Sequence, residues 1–318
     1  MLIQKDTPPM DMIHPELSSV ISAIEERVVG KHQVVKRLLT AVLARGHVLL
    51  DDVPGMGKTT LAKTAAAAIG LSYRRIQFTP DLLPSDVTGV SVFHPGTRQF
   101  EFQPGPVFTQ LLLADEINRA SPRTQSALLE VMEEGQVTVD GVARPVPQPF
   151  TVIATENPIE YEGTFPLPES QLDRFLFRLR MGYPQHQDEV ALLSQAEPNH
   201  LPSPVLSQAS LAKFQIQVRQ VHVAESIRHY MADLAARTRQ HPELMLGMSP
   251  RATVSLQNAS RAWAFLHARS YVIPDDVRVL FPDVVAHRII LSRSSNADGA
   301  EILDNIVRSV APPTGDLR

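Results

Sequence analysis

The chain has 318 residues, of which 43% are apolar and 20% charged, values typical of a folded globular protein of two domains. It contains no cysteine, which excludes disulfides, a thiol nucleophile, thiolate-held zinc and iron–sulfur clusters. Thirty Lys and Arg against 34 Asp and Glu give a net charge of −4, which argues against nucleic-acid binding. No stretch approaches the roughly 18 apolar residues of a membrane helix, so we expect no membrane segment and a cytoplasmic protein.

The chain begins with a segment that does not look like a folded element. Residues 1–15 carry prolines and scattered charges, lack the apolar run of a signal peptide, and are expected to be a disordered tail. Apolar residues then recur at three- and four-residue steps from Glu16 to Ala44, with a break at Gly30. This spacing predicts two helices.

Five short apolar runs are separated by helical patterns. Near-continuous apolar runs of this length are typical of strands that are buried on both faces. We therefore predict an α/β fold with a parallel five-stranded sheet flanked by helices. The runs are His47–Asp51, Tyr73–Phe78, Gln110–Ala114, Phe150–Ala154 and Phe175–Arg180.

Two further segments resemble β-hairpins and interrupt the order of strands and helices. Residues 89–102 alternate around a Pro-Gly turn, and residues 136–146 turn at an Asp-Gly pair, which is favoured in tight hairpins. We expect both to be surface inserts. After residue 183 the strand-like runs disappear and helical patterns dominate. The sequence thus predicts an α/β domain over residues 16–183 and an α-helical domain over residues 184–318.

The strongest functional signal lies between the first predicted strand and an Ala-rich helix. The segment reads Asp52-Val-Pro-Gly-Met-Gly-Lys-Thr59, and glycines here let backbone N–H groups wrap around a phosphate. Lys58 is expected to reach the β- and γ-phosphates and Thr59 to ligate Mg²⁺. Asp52 stands where the strict pattern has its first glycine. The residues expected to bind nucleotide are Pro54, Gly55, Met56, Gly57, Lys58, Thr59 and Thr60.

Polar residues also follow two later strands. Asp115 ends a buried strand, where a carboxylate needs a partner such as Mg²⁺. Glu116 is expected on the opposite side from Asp115, where it polarises an attacking water. Acids at the positive end of a helix dipole are the alternative. Asn157 is expected to orient the same water, although an Asn-Pro pair is also typical of turns.

These motifs, in this order and followed by a helical region, resemble the AAA+ ATPases, and within them the MoxR family. The resemblance covers residues 16 to 295 and is weaker in the last part. It implies a P-loop AAA+ core, a C-terminal α-helical lid domain, and ATP and Mg²⁺ as cofactors. The similar stretches are His47–Leu61, Ala114–Ala120, Thr124–Glu130, Ile153–Gly163, Pro166–Phe175 and Gly247–Ala252.

The resemblance also implies roles for individual residues. Lys58 and Thr59 fall on the Walker A positions, Asp115 and Glu116 on Walker B, and Asn157 on sensor 1. The two hairpins resemble the helix-2 insert and the pre-sensor-1 hairpin, which point toward the pore or face of a ring.

Two arginines receive roles on the same basis. Arg174 falls on the arginine finger that reaches a neighbouring subunit's γ-phosphate, and Arg251 falls on sensor 2. A local ion pair for Arg174 and a surface position for Arg251 are the alternatives. Val29 and Gly30 resemble the linker around the adenine. Two further arginines are candidates for the subunit interface: Arg119 and Arg123.

The resemblance implies an ATP hydrolase that works as a homo-oligomer, expected as a hexamer. Its expected clients are proteins that it remodels or activates, with von Willebrand factor A domain proteins as the partner class. Two alternatives stay open: a metal-chelatase motor subunit and a non-hydrolysing, nucleotide-gated interaction module. A nucleic-acid motor is disfavoured by the charge, and a GTPase by the lack of an Asn-Lys-x-Asp sequence. The sequence does not decide whether Arg251 acts in its own subunit's site or a neighbour's.

Overall fold

The computed structural model describes residues 12–53, 55–157, 163–194, 200–292 and 298–314. The first eleven residues, where the tail is expected, lie outside this part. The helices are α1 (Pro15–Glu25), α2 (His32–Leu43), α3 (Lys58–Ile69), α4 (Pro84–Thr88), α5 (Pro122–Glu134), α6 (Glu169–Leu172), α7 (His186–Ser194), α8 (Gln208–Gln220), α9 (Glu225–Gln240), α10 (Pro250–Leu266), α11 (Pro274–Val285) and α12 (Gly299–Ser309). The strands are β1 (Val48–Asp51), β2 (Tyr73–Gln77), β3 (Gly89–His94), β4 (Gln99–Pro104), β5 (Leu111–Asp115), β6 (Gln136–Val139), β7 (Val142–Pro145), β8 (Thr151–Glu156), β9 (Phe177–Leu179), β10 (Leu244–Leu246) and β11 (Ile290–Leu291).

The five predicted strands form one sheet, in the order β2-β5-β8-β1-β9, and every neighbouring pair is parallel. This confirms the predicted parallel sheet. The expected burial on both faces is wrong for the edge strand β2, in which three of the five residues are exposed. Side chains of β1 alternate between two apolar clusters: Leu50 packs with α1, α2 and α3, and Leu49 with α5. Because all five strands run the same way, their carboxyl ends meet at one edge, where polar residues from several strands come together.

Both hairpin segments form two-stranded antiparallel ribbons, β3 with β4 and β6 with β7. On the first ribbon Phe93 lies opposite Phe100, with ring centroids 5.4 Å apart. The guanidinium of Arg144, from the second ribbon, lies 4.2 Å from the ring centroid of Phe102 in the first. The two ribbons therefore contact each other beside the sheet.

The region after residue 183 is helical and has two features that the sequence patterns did not indicate. Strands β10 and β11 pair in antiparallel fashion, so the expectation that strands end at residue 183 is wrong. They are only three and two residues long, too short for a readable alternation. Helix α11 is the second such feature, because it contains Pro282, a residue type that usually interrupts a helical pattern. Among the described residues, no helix is both long and apolar enough to cross a bilayer.

His47 lies just before β1 and ties the sheet to α5. Its Nδ1 accepts from the Val152 N–H at 3.0 Å, and its Nε2 donates to the Met132 carbonyl at 3.2 Å. Burial lowers the pKa of His47 to about 4. A histidine in the unfolded chain titrates near ~6.5, so below that pH the unfolded state binds more protons. The free energy of unfolding therefore falls as the pH decreases from about 6.5 toward 4.

A His47→Gln variant should lose this acid sensitivity, because glutamine can keep both hydrogen bonds without titrating. The drop in the free energy of unfolding between pH 7 and pH 5 should be about 2 kcal/mol smaller than in the unmodified chain. Urea unfolding at the two pH values measures it. His229→Gln, at an exposed histidine, is the control and should leave the drop unchanged. Equal drops in His47→Gln and the unmodified chain would contradict the prediction.

Candidate nucleotide-binding and catalytic site

The loop between β1 and α3 turns at two glycines. Gly55 and Gly57 have φ angles of +85° and +83°, which side chains with a Cβ rarely adopt. Lys58 begins α3, and its Nζ donates to the Asp52 carbonyl at 2.6 Å. Burial lowers the pKa of Lys58, while nearby carboxylates, Asp115 first, oppose this shift. The loop thus holds a cation beside backbone that is free to approach an anion closely.

The contacts of Asp52 show why an aspartate can stand where the strict phosphate-loop pattern has its first glycine. Its buried carboxylate accepts from the backbone N–H groups of Met181 and Gly182, just after β9. The Gly182 carbonyl in turn accepts from Lys31 Nζ at 2.8 Å. Asp52 therefore fastens the loop to the segment that leaves the sheet, which glycine at this position would not do.

Asp115, at the carboxyl end of β5, has two partners. Arg75 Nη2 lies 2.6 Å from Oδ2, and the Thr155 hydroxyl donates to Oδ1 at 2.6 Å. A guanidinium therefore neutralises the carboxylate that is expected to ligate Mg²⁺. Thr155 is fully buried on the neighbouring strand β8 and fixes the carboxylate's orientation.

Glu116 follows Asp115 in a left-handed conformation, with φ +56° and ψ +50°. Its N–H donates to Thr155 Oγ1 at 2.8 Å, and its Oε2 accepts from Gln77 Nε2 at 2.6 Å and Arg119 Nη1 at 3.2 Å. The left-handed residue ends the strand alternation, so both acids line the same cleft. The expectation that Glu116 lies on the opposite side from Asp115 is wrong for this reason.

The cleft has a volume of about 410 Å³ and lies at the carboxyl edge of the sheet. Thr59 and Asp115 supply a hydroxyl and a carboxylate, the oxygen donors that Mg²⁺ uses together with phosphates. These residues fit a magnesium-bound phosphate group. The described lining residues are Gly55, Gly57, Lys58, Thr59, Arg75, Gln77, Asp115, Glu116 and Asn157.

A second cavity of about 700 Å³ shares Gly55 and Gly57 with the cleft and is mainly apolar. Val29 lines it, whereas Gly30 lies outside the described lining and has a φ of +72°, which favours glycine. The cavity's position and character suit a nucleoside base. Pro54, expected to bind nucleotide, lies outside the described residues. The described lining includes Val28, Val29, Lys31, Met56, Thr60, Met181, Tyr183, Pro184, Leu192 and Leu193.

Replacing Arg75 with glutamine should strengthen the apparent Mg²⁺ affinity of the nucleotide complex. Arg75 competes for the Asp115 carboxylate, and a half-exposed ion pair of ~1 kcal/mol corresponds to about a fivefold lower Mg²⁺ requirement. Binding of a fluorescent ATP analogue against Mg²⁺ concentration measures it. Arg74→Gln is the matched control, because Arg74 donates instead to the Gly105 carbonyl. A higher Mg²⁺ requirement in Arg75→Gln would refute the competition.

Arg174 and Arg251 lie together but away from the cleft. Arg174 Nη2 is 2.9 Å from Glu133 Oε2, and Arg251 Nη1 is 3.2 Å from Glu133 Oε1. The described residues that line the cleft do not include either arginine. Arg174 therefore makes an ion pair within its own chain, although its partner Glu133 comes from another helix and not from the residues next to it.

The position of these arginines in the fold explains the separation. The Leu176 N–H bonds to the His47 carbonyl at 2.8 Å, and His47 also bonds to Met132. Arg174 and Glu133 therefore lie at the amino edge of β1 and β9, whereas the cleft lies at the carboxyl edge. The length of β1 separates the two edges by about 13 Å at ~3.3 Å per residue.

The structure adds site residues that the sequence analysis missed. Arg75 and Gln77 lie at alternate positions of β2, and the register that places Gln77 opposite Asp115 brings them into the cleft. Alternating polar residues on a strand were the available signal. Of the interface candidates, Arg119 pairs with Glu116 and Arg123 is exposed at the start of α5.

Comparison with known proteins agrees with this geometry. Residues 47–177 match the ATPase family associated with various cellular activities (AAA), and residues 236–309 match the AAA lid domain. The uncharacterized protein YeaC of Bacillus subtilis is 49% identical over 94% of each chain. Chaperone MoxR1 of Mycobacterium tuberculosis is 39% identical over 93% of this chain and 82% of that protein. This chain belongs to the MoxR family of AAA+ ATPases.

A solved structure extends the likeness of this MoxR-family chain to the whole fold. The crystal structure of a candidate ATPase from Cytophaga hutchinsonii is 35% identical, with a TM-score of 0.88 over 94% of this chain and 96% of that one. The family and the fold class expected from the sequence, an AAA+ core with a C-terminal lid, are therefore confirmed.

Proposed function

We propose that this MoxR-family chain hydrolyses ATP as a homo-oligomer, most simply a hexamer, in which each active site is completed by a neighbouring subunit. The observation that carries this proposal is the position of Arg174 and Arg251. Both sit at the amino edge of the sheet, across it from the cleft of their own chain. In the proposed assembly, both arginines reach the γ-phosphate bound in the next subunit.

The residues of the cleft support in-line attack of water on the γ-phosphate. Glu116 accepts a proton from the water. At the same time the water oxygen bonds to phosphorus, and the bond between phosphorus and the ADP oxygen breaks. Thr59 and Asp115 hold Mg²⁺, which neutralises phosphate charge when bound. Lys58 stabilises the phosphate oxygens, and Asn157 orients the water.

The proposed task of this ATPase is to remodel or activate other proteins in the cytoplasm. A relative, MoxR1, carries the name chaperone, which supports a protein client. Phe93 and Phe100 of the β3–β4 hairpin are 48% and 74% exposed, which suits transient contact with such a client. Proteins with a von Willebrand factor A domain are the partner class that we propose.

The test measures ATP turnover per subunit across a wide range of protein concentration in the presence of Mg²⁺. The Glu116→Gln variant, referred to as the blank, is the negative control. A shared site predicts turnover that rises with concentration as subunits assemble, and an inactive blank. Turnover that is constant from the monomer upward would refute the shared site. Tight ATP binding without turnover at any concentration would favour the nucleotide-gated module. Stimulation by a tetrapyrrole-binding protein would favour the chelatase motor.

A further inference from the structure

Glu133 joins two arginines that come from different parts of the chain. Its two carboxylate oxygens bind separately, Oε2 to Arg174 and Oε1 to Arg251. Arg174 belongs to the AAA+ core, whereas Arg251 lies in the first turn of α10 in the lid. Neither the motifs nor the comparisons assign a role to Glu133.

Side-chain contacts of the neighbouring residues hold the two arginines near each other. The Ser249 hydroxyl, which also caps α10, donates to Asp173 Oδ2 at 3.2 Å. Asp173 Oδ1 accepts from Arg288 Nε at 2.6 Å, and the Arg288 side chain is only 2% exposed. Asp173 directly precedes Arg174, and Ser249 lies two residues before Arg251, so this contact fixes the spacing of the pair.

Glu133 itself is held on a rigid support. The preceding residue, Met132, accepts from His47, which anchors the end of α5 to the sheet. Gly135 ends the helix in a left-handed conformation, and the β6–β7 hairpin begins at the next residue. Glu133 therefore has a fixed position between the sheet and the first strand of that hairpin.

The charges of this cluster suit a shared anionic target. Two neighbouring guanidiniums repel each other, and one carboxylate between them removes most of that cost while leaving a net charge of +1. Each guanidinium has five N–H donors, more than one carboxylate can use. The Arg174 and Arg251 side chains are 26% and 49% exposed, so both guanidiniums remain partly open to solvent. The pair thus retains donors for a further ligand.

We propose that Glu133 is a positioning residue that holds Arg174 and Arg251 as one unit, so that both approach the phosphate of the neighbouring subunit together. This rests on the proposed function, in which the arginines act in the neighbour's site. Glu133 touches no substrate and acts only through the two guanidiniums.

The first test is Glu133→Gln, which keeps the size of the side chain but removes its charge. Misplacing both arginines should lower kcat by about 10-fold. KM should stay within about twofold, because the arginines act on charge that develops in the transition state. Glu134→Gln, at the next and exposed residue of α5, is the matched control and should behave like the unmodified protein. A Glu133→Gln variant with unchanged kcat would overturn the proposal.

A mixed-subunit assay separates positioning from a structural role. Glu133→Gln subunits have an intact cleft, and Glu116→Gln subunits have intact arginines, so a junction between them contains a complete site. Mixing them should give turnover well above that of either variant alone. If Glu133→Gln instead damages the fold of its own subunit, the cleft of that subunit is inactive as well. Turnover of the mixture would then not exceed that of the single variants, and this result would overturn the proposal.

A mixture of Arg174→Ala and Glu116→Gln subunits distinguishes failure of the shared site from failure of the role proposed for Glu133. If that mixture gains activity and the Glu133→Gln mixture does not, the shared site stands and the role of Glu133 is refuted. If neither mixture gains activity, the shared site is refuted, and the role proposed for Glu133 falls with it.

Discussion

Replacing Arg174 with alanine is expected to lower ATP turnover of the assembled protein by about 10³–10⁵-fold, the effect of removing an arginine that neutralises charge on the transferred phosphoryl group. ATP affinity of the assembled protein should change little, because the proposed role of Arg174 is to neutralise charge that develops in the transition state and not to bind ground-state ATP. Steady-state turnover and binding of a fluorescent ATP analogue measure the two quantities.

Arg308→Ala is the control for this substitution. Arg308 is an exposed arginine on α12 that forms a surface ion pair with Asp304. Its loss should leave turnover unchanged, because exposed ion pairs contribute little to stability. A fall in turnover of similar size in both variants would point to general damage, and full turnover in Arg174→Ala would remove this residue from the mechanism.

Glu116→Gln is expected to lower turnover by about 10²–10⁴-fold, because an amide cannot accept the proton of the attacking water. Glutamine has the same shape and can still accept from Arg119 through its amide oxygen, so the fold and the affinity for Mg²⁺ and ATP should be retained.

Single-turnover measurement with pre-bound ATP isolates this chemical step. The variant should retain ATP and release phosphate slowly, whereas a variant that binds ATP poorly would release most of it unhydrolysed. Phosphate release at the unmodified rate would show that another group accepts the proton. Comparison with Thr155→Val, which removes one hydrogen bond to Asp115 and one from the Glu116 N–H, tests whether the position of Glu116 matters as well as its charge.

Much of the core could be predicted from the sequence because its signals are local. A strand that is buried on both faces is a continuous apolar run, and β1 and β5 are read directly in this way. The loop between β1 and α3 turns at Gly55 and Gly57, whose positive φ angles residues with a Cβ rarely adopt.

The partners of the functional residues could not be predicted, because they depend on contacts between distant segments. Arg75 meets Asp115 only through the register of β2 and β5, and Thr155 reaches the same carboxylate through β8. In the sequence, Glu133 is an acidic residue near the end of an amphipathic helix, and nothing indicates that the fold places two arginines beside it. The left-handed backbone conformation of Glu116 could not be predicted either, because the apolar pattern of the preceding strand does not indicate it.

The contact of Arg288 with the core has a mechanical consequence. Its guanidinium bonds to the Asp173 carboxylate and to the carbonyls of Asp173 and Phe175, and it is almost fully buried. Pulling this group out would leave buried polar atoms unpaired, so the lid cannot simply lift away here. Any rotation of the lid about this contact would move nearby Arg251 through a short arc and the distant end of the lid through a long one. If Arg251 acts at a neighbour's phosphate, as proposed, a small shift of this residue would accompany a much larger displacement at the far end of the lid.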